Sequence, residues 1–335
     1  MAFEGNAETS ITIADIAREL GVSKSTVSRV INGKGRIGNE TRKRVLSFVN
    51  EHNYTPNPIA KGLAQKRTYN AAVVIPRDAD SGEVPFFQNC LIGITETISE
   101  RGFDALLAIT DSDDINPLKR LVSNHKVDGV ILTRLMENDI AVDYLQQKEI
   151  PFVVMGTAEN GDFYQVDSDQ EAGCADITKH MISRGCSRMT VLAGEQRNLV
   201  NQRRWEGFAR ACRETGTPEG KVVWNLKSQE QVLQILPELM KENPQCLVCM
   251  DDTICLWAIV WLKQNDYQIP EDVQVISFYD SPVLENNTPP VTALSVNVQA
   301  MSRKAGNLLV DTIEGRESSS KVKVKYELKI RESSR

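Results

Sequence analysis

The sequence predicts a small all-α helix-turn-helix head followed by a larger two-lobe α/β domain with parallel sheets. Charge is unevenly distributed along the chain. Residues 1–67 carry 11 Lys and Arg and 6 Asp and Glu, whereas the other 268 residues carry 28 Lys and Arg and 39 Asp and Glu. Within residues 12–31, apolar residues recur at helical spacing on both sides of a glycine. From residue 70 onward, short apolar runs alternate with helical patterns, which is typical of parallel βαβ units.

The first two predicted helices lie on either side of Gly21. Thr12 and Asp15 have the spacing of a capping box at the start of the first helix, and Gly21 can adopt the left-handed conformation that ends it. Ser23 is expected to cap the second helix, whose polar and basic face consists of Lys24, Ser25, Ser28 and Arg29. This arrangement sets a second helix in the DNA major groove, and a basic head suits contact with phosphates.

The head is expected to end in a proline-rich segment. A third helix begins near residue 39 and stops near 52, because the two prolines at 56 and 58 cannot continue it. We therefore expect a disordered N-terminus at 1–10, a DNA-binding domain at 11–57 and a hinge helix or linker at 58–69. The remainder, 70–335, is expected to bind an effector and to dimerise.

The pattern of strands and helices after residue 70 predicts the larger domain. Continuous apolar runs predict strands at 71–75, 105–109, 129–132, 152–155, 189–193, 222–224, 246–250 and 273–278. Helical spacing predicts helices at 89–101, 117–124, 140–147, 171–184, 203–214, 230–241 and 253–265. The pattern restarts near residue 167, so we expect one lobe at 70–166 and 294–322 and another at 167–293 and 323–335. Ligands of such sheets bind at the carboxyl ends of the strands.

Composition limits the other classes of protein. The first residues are polar and acidic, unlike a secretory signal, and the longest apolar run, 255–262, is too short to span a bilayer. Seven scattered cysteines fit reduced thiols, so we expect a cytoplasmic protein, on the nucleoid when it binds DNA. Cys246 and Cys249 lie in a predicted buried strand, which favours core packing over a metal site. We expect no cofactor, metal or membrane partner.

The sequence resembles the LacI/GalR family of bacterial transcription regulators along nearly its whole length. The head carries Val-Ser-Lys-Ser-Thr-Val-Ser-Arg-Val-Ile-Asn-Gly at 22–33, Tyr-Thr-Pro-Asn at 54–57 and Ala-Lys-Gly-Leu-Ala at 60–64. The body carries Val-Asp-Gly-Val-Ile at 127–131, Arg-Trp-Glu-Gly-Phe at 204–208 and Thr-Pro-Pro-Val-Thr at 288–292. The resemblance implies a helix-turn-helix head on a body like a periplasmic binding protein.

The resemblance also implies which residues contact DNA. Lys24, Ser25 and Arg29 would read base edges, and Leu63 would wedge into the minor groove from a short hinge helix. Phosphate contacts would come from Ser23, Thr26, Ser28, Asn32 and Tyr54. Thr12, Asn57, Ala60 and Lys61 complete the expected DNA-contacting set.

Effector-binding positions follow from the same resemblance and from the loops after strands. Arg204 matches a ligand-gripping arginine at the start of a helix, and Asp280 matches a carboxylate that accepts ligand hydroxyls. Asp251 and its neighbour Asp252 follow a strand, and for Asp252 we expect a capping role. The remaining expected effector residues are Asp78, Phe87 and Lys227. The set favours a sugar or sugar derivative and leaves its charge open.

The predicted function is a homodimeric repressor of carbohydrate-metabolism genes that binds a palindromic operator and is switched by a small effector. Co-repression, or control by a partner protein, is the alternative within the same family. A solute-binding protein shares the two-lobe build but has neither the basic head nor a cytoplasmic location. An enzyme is disfavoured, because no nucleophile and base stand at a recognisable spacing and only three histidines occur.

Overall fold

The computed structural model describes residues 11–31, 33, 35–52, 54, 62, 65–77, 84–159, 161–316 and 318–334. The chain divides into two compact units between Thr68 and Tyr69. The predictions for residues 1–10 and for residues 58–61, 63 and 64 of the hinge segment 58–69 lie outside the described residues. No described helix is long and apolar enough to cross a bilayer.

The described part of the head contains three helices with assigned bounds, α1 (Ile13–Glu19), α2 (Lys24–Ile31) and α3 (Asn39–Glu51). They pack around a small core whose buried members are Ile16, Ala17, Val27, Val30 and Val45. The predicted helical spacing is confirmed, since each helix contributes the residues that share its inward face.

The ends of α1 and α2 have the predicted caps. The Thr12 hydroxyl accepts a hydrogen bond from the backbone N–H of Asp15, whose carboxylate in turn accepts from the backbone N–H of Thr12. Gly21 follows the end of α1 with a φ of +63°, a conformation that costs little only for glycine. Ser23 then accepts from the backbone N–H of Thr26, so that α2 begins one turn after α1 has ended.

The described residues of the larger unit form two six-stranded sheets. In the first sheet all neighbouring strands are parallel, in the order β11-β5-β4-β3-β1-β2. Its strands are β1 (Asn70–Pro76), β2 (Asp104–Thr110), β3 (Gly129–Leu132), β4 (Phe152–Met155), β5 (Tyr164–Asp167) and β11 (Lys321–Lys323). This sheet forms the first lobe, with apolar clusters on both faces.

The second sheet has the order β12-β10-β9-β8-β6-β7, in which only the edge strand β12 is antiparallel to its neighbour. Its strands are β6 (Met189–Leu192), β7 (Lys221–Val223), β8 (Cys246–Cys249), β9 (Gln274–Ser277), β10 (Thr292–Val296) and β12 (Tyr326–Lys329). Cys246 and Cys249 are fully buried in β8, as the apolar run predicts.

Helices cover both sheets, as the alternating pattern predicts. Those of the first lobe are α4 (Val84–Glu100), α5 (Asn116–Ser123), α6 (Ile140–Gln147) and α12 (Val298–Ile313). Those of the second lobe are α7 (Gln170–Ser183), α8 (Leu199–Thr215), α9 (Gln229–Lys241), α10 (Asp252–Gln264) and α11 (Pro282–Glu285). Helix α12 packs against α4 and the first sheet, although β10 just before it belongs to the second.

Three crossings join the two lobes, and two of them differ in position from the prediction. The first follows β5 at Asp167, as expected. The second follows the whole of β10, so the lobe boundary lies near residue 297 rather than at 294. The third lies between β11 and β12, near residue 324 rather than 322. Both predicted boundaries cut through strands, which pair along their full length in one sheet.

Candidate functional site

The outward face of α2 carries the residues expected to contact DNA. Lys24 and Ser25 are exposed in its first turn, and the Ser25 hydroxyl lies 2.8 Å from the Ser23 hydroxyl. Thr26 Oγ1 lies at the same distance from Ser23 Oγ. Ser23 Oγ also accepts a hydrogen bond from the backbone N–H of Thr26 at 3.1 Å. One serine therefore both caps the helix and links the hydroxyl groups on this face.

Arg29 is exposed one turn beyond Ser25. Its side chain lies over Gly35, where an added Cβ would come 3.3 Å from Arg29 Cδ. Gly35 has a φ of +79°, so the loop after α2 approaches the arginine in a conformation that favours glycine. The close glycine therefore helps set the direction in which the guanidinium leaves the helix.

Two expected DNA-contacting residues have structural partners in the head. The Thr12 hydroxyl donates to the Asp15 carboxylate at 2.6 Å within the capping box. Tyr54 is half-buried against the head core, and this burial raises the pKa of its phenol. Ser28 is half-buried on α2. The expected sites at Asn32, Asn57, Ala60, Lys61, Leu63 and Asp78 lie outside the described residues.

A cavity of about 370 Å³ lies between the two lobes of the larger unit, at the carboxyl ends of the strands. Four of the expected effector residues line it: Phe87, Arg204, Lys227 and Asp251. The first lobe contributes a mainly apolar wall, and the second contributes most of the polar side chains. A cavity with one apolar and one polar wall is typical of a small-molecule site.

Arg204 is the most firmly held polar residue of the cavity. It is 7% exposed; its Nε donates to Gln170 Oε1 at 3.2 Å and its Nη1 donates to the Met250 carbonyl oxygen at 2.6 Å. The guanidinium also lies 6.0 Å from the ring centroid of Tyr279. Nη2 makes no hydrogen bond with the described residues, so this donor can serve a ligand.

Helix α8 positions Arg204 in a way that the sequence did not predict. The helix begins at Leu199, after Asn198 as its N-cap, and not at residue 203. Arg204 is therefore in the second turn, where α7 and the end of β8 can hold it, rather than at the helix start. Asn198 and Asn201 line the same cavity and were not among the expected residues.

Both aspartates after β8 line the cavity, but the capping role falls to Asp251 rather than to Asp252. Asp251 is the N-cap of α10, and its Oδ1 accepts from the backbone N–H of Ile254 at 2.7 Å. Asp252 lines the cavity in a largely buried position, and desolvation by this burial raises its pKa, an effect that nearby Arg204 opposes. The capping role expected for Asp252 is thus filled by Asp251.

The structure does not bring Asp280 to the cavity, in contrast to the expectation. Arg331, from the C-terminal segment, donates from Nη1 to Asp280 Oδ1 at 2.7 Å and from Nη2 to Oδ2 at 2.9 Å. Arg331 Nη1 also donates to the Val291 carbonyl oxygen at 2.7 Å. The carboxylate is thus occupied by a nearly buried, bidentate ion pair, and its neighbour Tyr279 lines the cavity instead.

Lys227 lies at the cavity but already has a partner of opposite charge. Its Nζ is 2.8 Å from Oε2 of Glu195, another lining residue, which was not among the expected ones. Counted over the described lining, four carboxyl groups face three basic side chains: Asp167, Glu195, Asp251 and Asp252 against Arg134, Arg204 and Lys227. The cavity thus shows no excess of positive charge for an anionic ligand.

Aromatic rings from both lobes meet at the cavity. Phe86 packs edge-on against Phe87 and against Tyr279, at centroid distances of 5.2 and 5.9 Å. Phe87 was expected here, whereas Phe86 and Tyr279 were missed. The position of Tyr279, two residues after the end of β9, is the signal that could have identified it, since loops at the carboxyl ends of parallel strands form the ligand site.

Comparison with known proteins agrees with both parts of the molecule. Residues 12–57 match the model for bacterial regulatory proteins of the lacI family, and residues 178–334 match a periplasmic binding protein-like domain. The transcriptional regulator CelR of Thermobifida fusca is 30% identical over 334 residues, covering 96% of this chain and 98% of CelR. The repressor PurR of Haemophilus influenzae (strain PittEE) is 28% identical, covering 96% of this chain and 98% of PurR.

Solved structures show the same architecture. A CelR–cellobiose complex has a TM-score of 0.72 and 28% identity, and the match covers 96% of this chain and 99% of that chain. The lac repressor dimer bound to operator has a TM-score of 0.80 at 20% identity, covering 97% and 99%. These matches confirm the fold class and the family resemblance predicted from the motifs: the chain belongs to the LacI family of bacterial transcription regulators.

Proposed function

We propose that the protein is a homodimeric, cytoplasmic repressor of carbohydrate-metabolism genes. In this proposal α2 reads a palindromic operator, and a neutral, hydroxyl-rich sugar in the interlobe cavity changes the operator affinity. The observation that carries the proposal is the combination, in one chain, of an exposed basic recognition helix and a two-lobe body with a preformed cavity. Binding without turnover is sufficient for this role, so we assign no catalytic step.

The face of α2 supports sequence-specific binding. Lys24, Ser25 and Arg29 are all exposed on α2. An arginine can bond guanine O6 and N7 together, and the neighbouring hydroxyl groups suit phosphate oxygens, which fix the position of the helix. The five expected DNA-contacting residues outside the described part of the chain remain predicted contacts, with Leu63 as the proposed minor-groove wedge.

The cavity supports an uncharged sugar rather than a sugar phosphate. Lys227 is neutralised by Glu195, and the described lining has one more carboxyl group than basic side chains. Arg204 Nη2 can donate to a hydroxyl oxygen while the Asp252 carboxylate can accept from a hydroxyl group. The rings of Phe86 and Tyr279 offer apolar surface for the C–H face of a pyranose. The cellobiose in the CelR complex makes this disaccharide the first sugar to test.

A dimer is supported by apolar side chains at the outer edge of the first lobe. Strand β2 is the edge strand of its sheet, and its Leu107 and Ile109 are 49% and 43% exposed. Ile92 of the neighbouring helix α4 is 48% exposed. An unpaired edge with exposed apolar side chains is unfavourable in a monomer and suits a second copy of the chain.

The DNA-binding part is tested with a palindromic operator duplex from the region upstream of the protein's own gene. Arg29→Ala should weaken operator binding by about 1–3 kcal/mol, because a base contact is lost. Lys43→Ala is the matched control, since it removes one positive charge from the exposed face of α3 instead. If Arg29→Ala and Lys43→Ala weaken operator binding equally, α2 does not read sequence. The same follows if Arg29→Ala weakens binding to a scrambled duplex as much as binding to the operator.

A further inference from the structure

The two lobes contact each other across the cavity at a short antiparallel β-bridge. Met136, from the loop after β3, pairs with Asn198, from the loop after β6. The backbone N–H of Leu199 donates to the Leu135 carbonyl oxygen at 3.0 Å, and the N–H of Glu137 donates to the Arg197 carbonyl oxygen at 2.8 Å. We call residues Leu135–Glu137 and Arg197–Leu199 the clasp.

The position of the clasp follows from the strand order. The chain crosses between the lobes at β5, β10, β11 and β12, which lie at one edge of each sheet. Strand β3 is the fourth strand from that edge in the first sheet, and β6 is the fifth in the second. The clasp therefore joins the lobes away from the crossings, where two lobes that hinge about the crossings separate most.

Side chains next to the clasp strengthen the same junction. Leu199, from the second lobe, packs against the apolar cluster of the first lobe. Gln202 Nε2 donates to Glu137 Oε2 at 3.4 Å, and Arg203 Nη1 lies 3.0 Å from Glu159 Oε1. All three residues belong to the first two turns of α8, which thus carries the second-lobe side of the junction.

Each strand of the clasp is held in place by its own lobe. Asp139 accepts from the backbone N–H of Met136 at 3.1 Å through Oδ2, while its Oδ1 caps α6. On the other side, Asn201 Nδ2 donates to the Glu195 carbonyl oxygen at 3.0 Å. Each half of the clasp is thus anchored within its own lobe, so the interlobe hydrogen bonds are the part that can open.

The clasp and the cavity share residues. Leu135, Asn198 and Leu199 line the cavity, and α8 continues directly from them to Arg204. A molecule held by Arg204 therefore contacts the same helix that makes the clasp. We propose that the clasp is a gate: its two backbone hydrogen bonds hold the cleft shut, and they must break before a small molecule enters or leaves the cavity.

This gate is a regulatory element of the site described under the proposed function, and its consequence is a coupling of two equilibria. A ligand that bridges Arg204 and the first lobe stabilises the closed clasp, and a weakened clasp lowers the population of the closed form. The clasp therefore sets the populations of the closed and open forms in the absence of effector. It thereby sets the amount of the form that binds operator better.

The residue Leu199 allows a test of one backbone hydrogen bond. It is the first residue of α8, a position that favours proline, and Asn198 before it has φ −74° and ψ 115°, which proline permits in the preceding residue. Leu199→Pro removes the N–H that donates to Leu135. Leu199→Ala is the matched control, because it also loses the leucine side chain but keeps the N–H.

Two readouts on the full-length protein report on the gate, and neither needs an effector. Hydrogen exchange of the Glu137 amide, the other clasp donor, should be about fivefold faster in Leu199→Pro than in Leu199→Ala, since one net hydrogen bond is lost. A thiol placed by Met155→Cys, in the buried cavity lining, should react with iodoacetamide faster by a similar factor.

The outcomes separate the gate from the sugar hypothesis. Faster exchange and faster alkylation in the proline variant support the gate even if no sugar in the panel binds. Equal alkylation rates in the two variants, with both proteins folded by circular dichroism, would show that the cavity is reached without opening the clasp and would overturn the proposal. Faster alkylation with unchanged Glu137 exchange would also overturn it, because the two bonds would then not open together.

Discussion

The ion pair of Asp280 and Arg331 makes a quantitative prediction about stability. Both side chains are nearly buried, at 10% and 13% exposed, and Arg331 makes three hydrogen bonds through its two terminal nitrogens. Asp280→Asn keeps the size of the side chain but leaves the guanidinium without a counter-charge. Removal of one partner of such a buried pair should lower the free energy of unfolding of the second lobe by about 3 kcal/mol.

The assay uses the natural distribution of tryptophan. Trp205, Trp224, Trp257 and Trp261 all lie in the second lobe, so tryptophan fluorescence during urea unfolding reports on the lobe that contains the pair. Asp280→Asn, Arg331→Met and the double variant complete a cycle, and we expect a coupling energy of about 2 kcal/mol. Asp266→Asn, at an exposed aspartate of the same lobe, is the control and should change stability by no more than about 0.5 kcal/mol.

One result would refute this reasoning about Asp280. If Asp280→Asn unfolds like the wild-type protein but loses affinity for the effector, the carboxylate serves the ligand, as the family resemblance implied. A large loss of stability in both single variants, with a smaller additional loss in the double variant, supports the structural pairing instead.

Three further predictions concern the cavity and the head. Burial raises the pKa of Asp252 in the folded protein, so the folded state favours the protonated carboxyl group. The stability that this protonation provides is lost as the pH rises through the raised pKa. The stability gained by Asp252→Asn should therefore grow between about pH 4 and pH 7, as urea unfolding at each pH would show, and a constant difference would contradict it. Gly35→Ala should weaken operator binding through strain at φ +79° and contact with Arg29, whereas Gly38→Ala, with open space around the added Cβ, should not, as fluorescence anisotropy would measure. Thr12→Val should lower the stability of the head by about 1 kcal/mol, because the capping box is lost. Hydrogen exchange would measure this as faster amide exchange within residues 11–68, and unchanged exchange rates there would argue against it.

The sequence was sufficient where local chemistry decides the structure. The caps at Thr12 and Ser23 and the left-handed Gly21 depend on residues within one turn, so spacing alone predicts them. The alternating strands were predictable for a related reason, because strands buried on both faces need continuous apolar runs such as 246–249.

The rest of the site depends on contacts that spacing does not contain. Arg331 reaches Asp280 across 51 positions, and no local pattern predicts that this partner occupies the expected ligand carboxylate. Asp251 and Asp252 are adjacent and chemically identical, so only the register of α10 decides which one caps the helix. The start of α8 was placed too late because its first turn is joined to the other lobe, and this also hid Asn198 and Asn201.

The coupling between cavity and operator is the central claim, and one titration tests it most directly. Operator affinity of the purified full-length protein would be measured by fluorescence anisotropy with and without cellobiose, other neutral sugars and sugar phosphates. We expect at least one neutral sugar to change the affinity by about 1–3 kcal/mol, the usual size of allosteric coupling, and Arg204→Gln to abolish that change while leaving operator binding without sugar intact. Weaker binding with sugar identifies induction and tighter binding identifies co-repression. An operator affinity that no sugar alters, or one that responds equally in Arg204→Gln, would contradict the account.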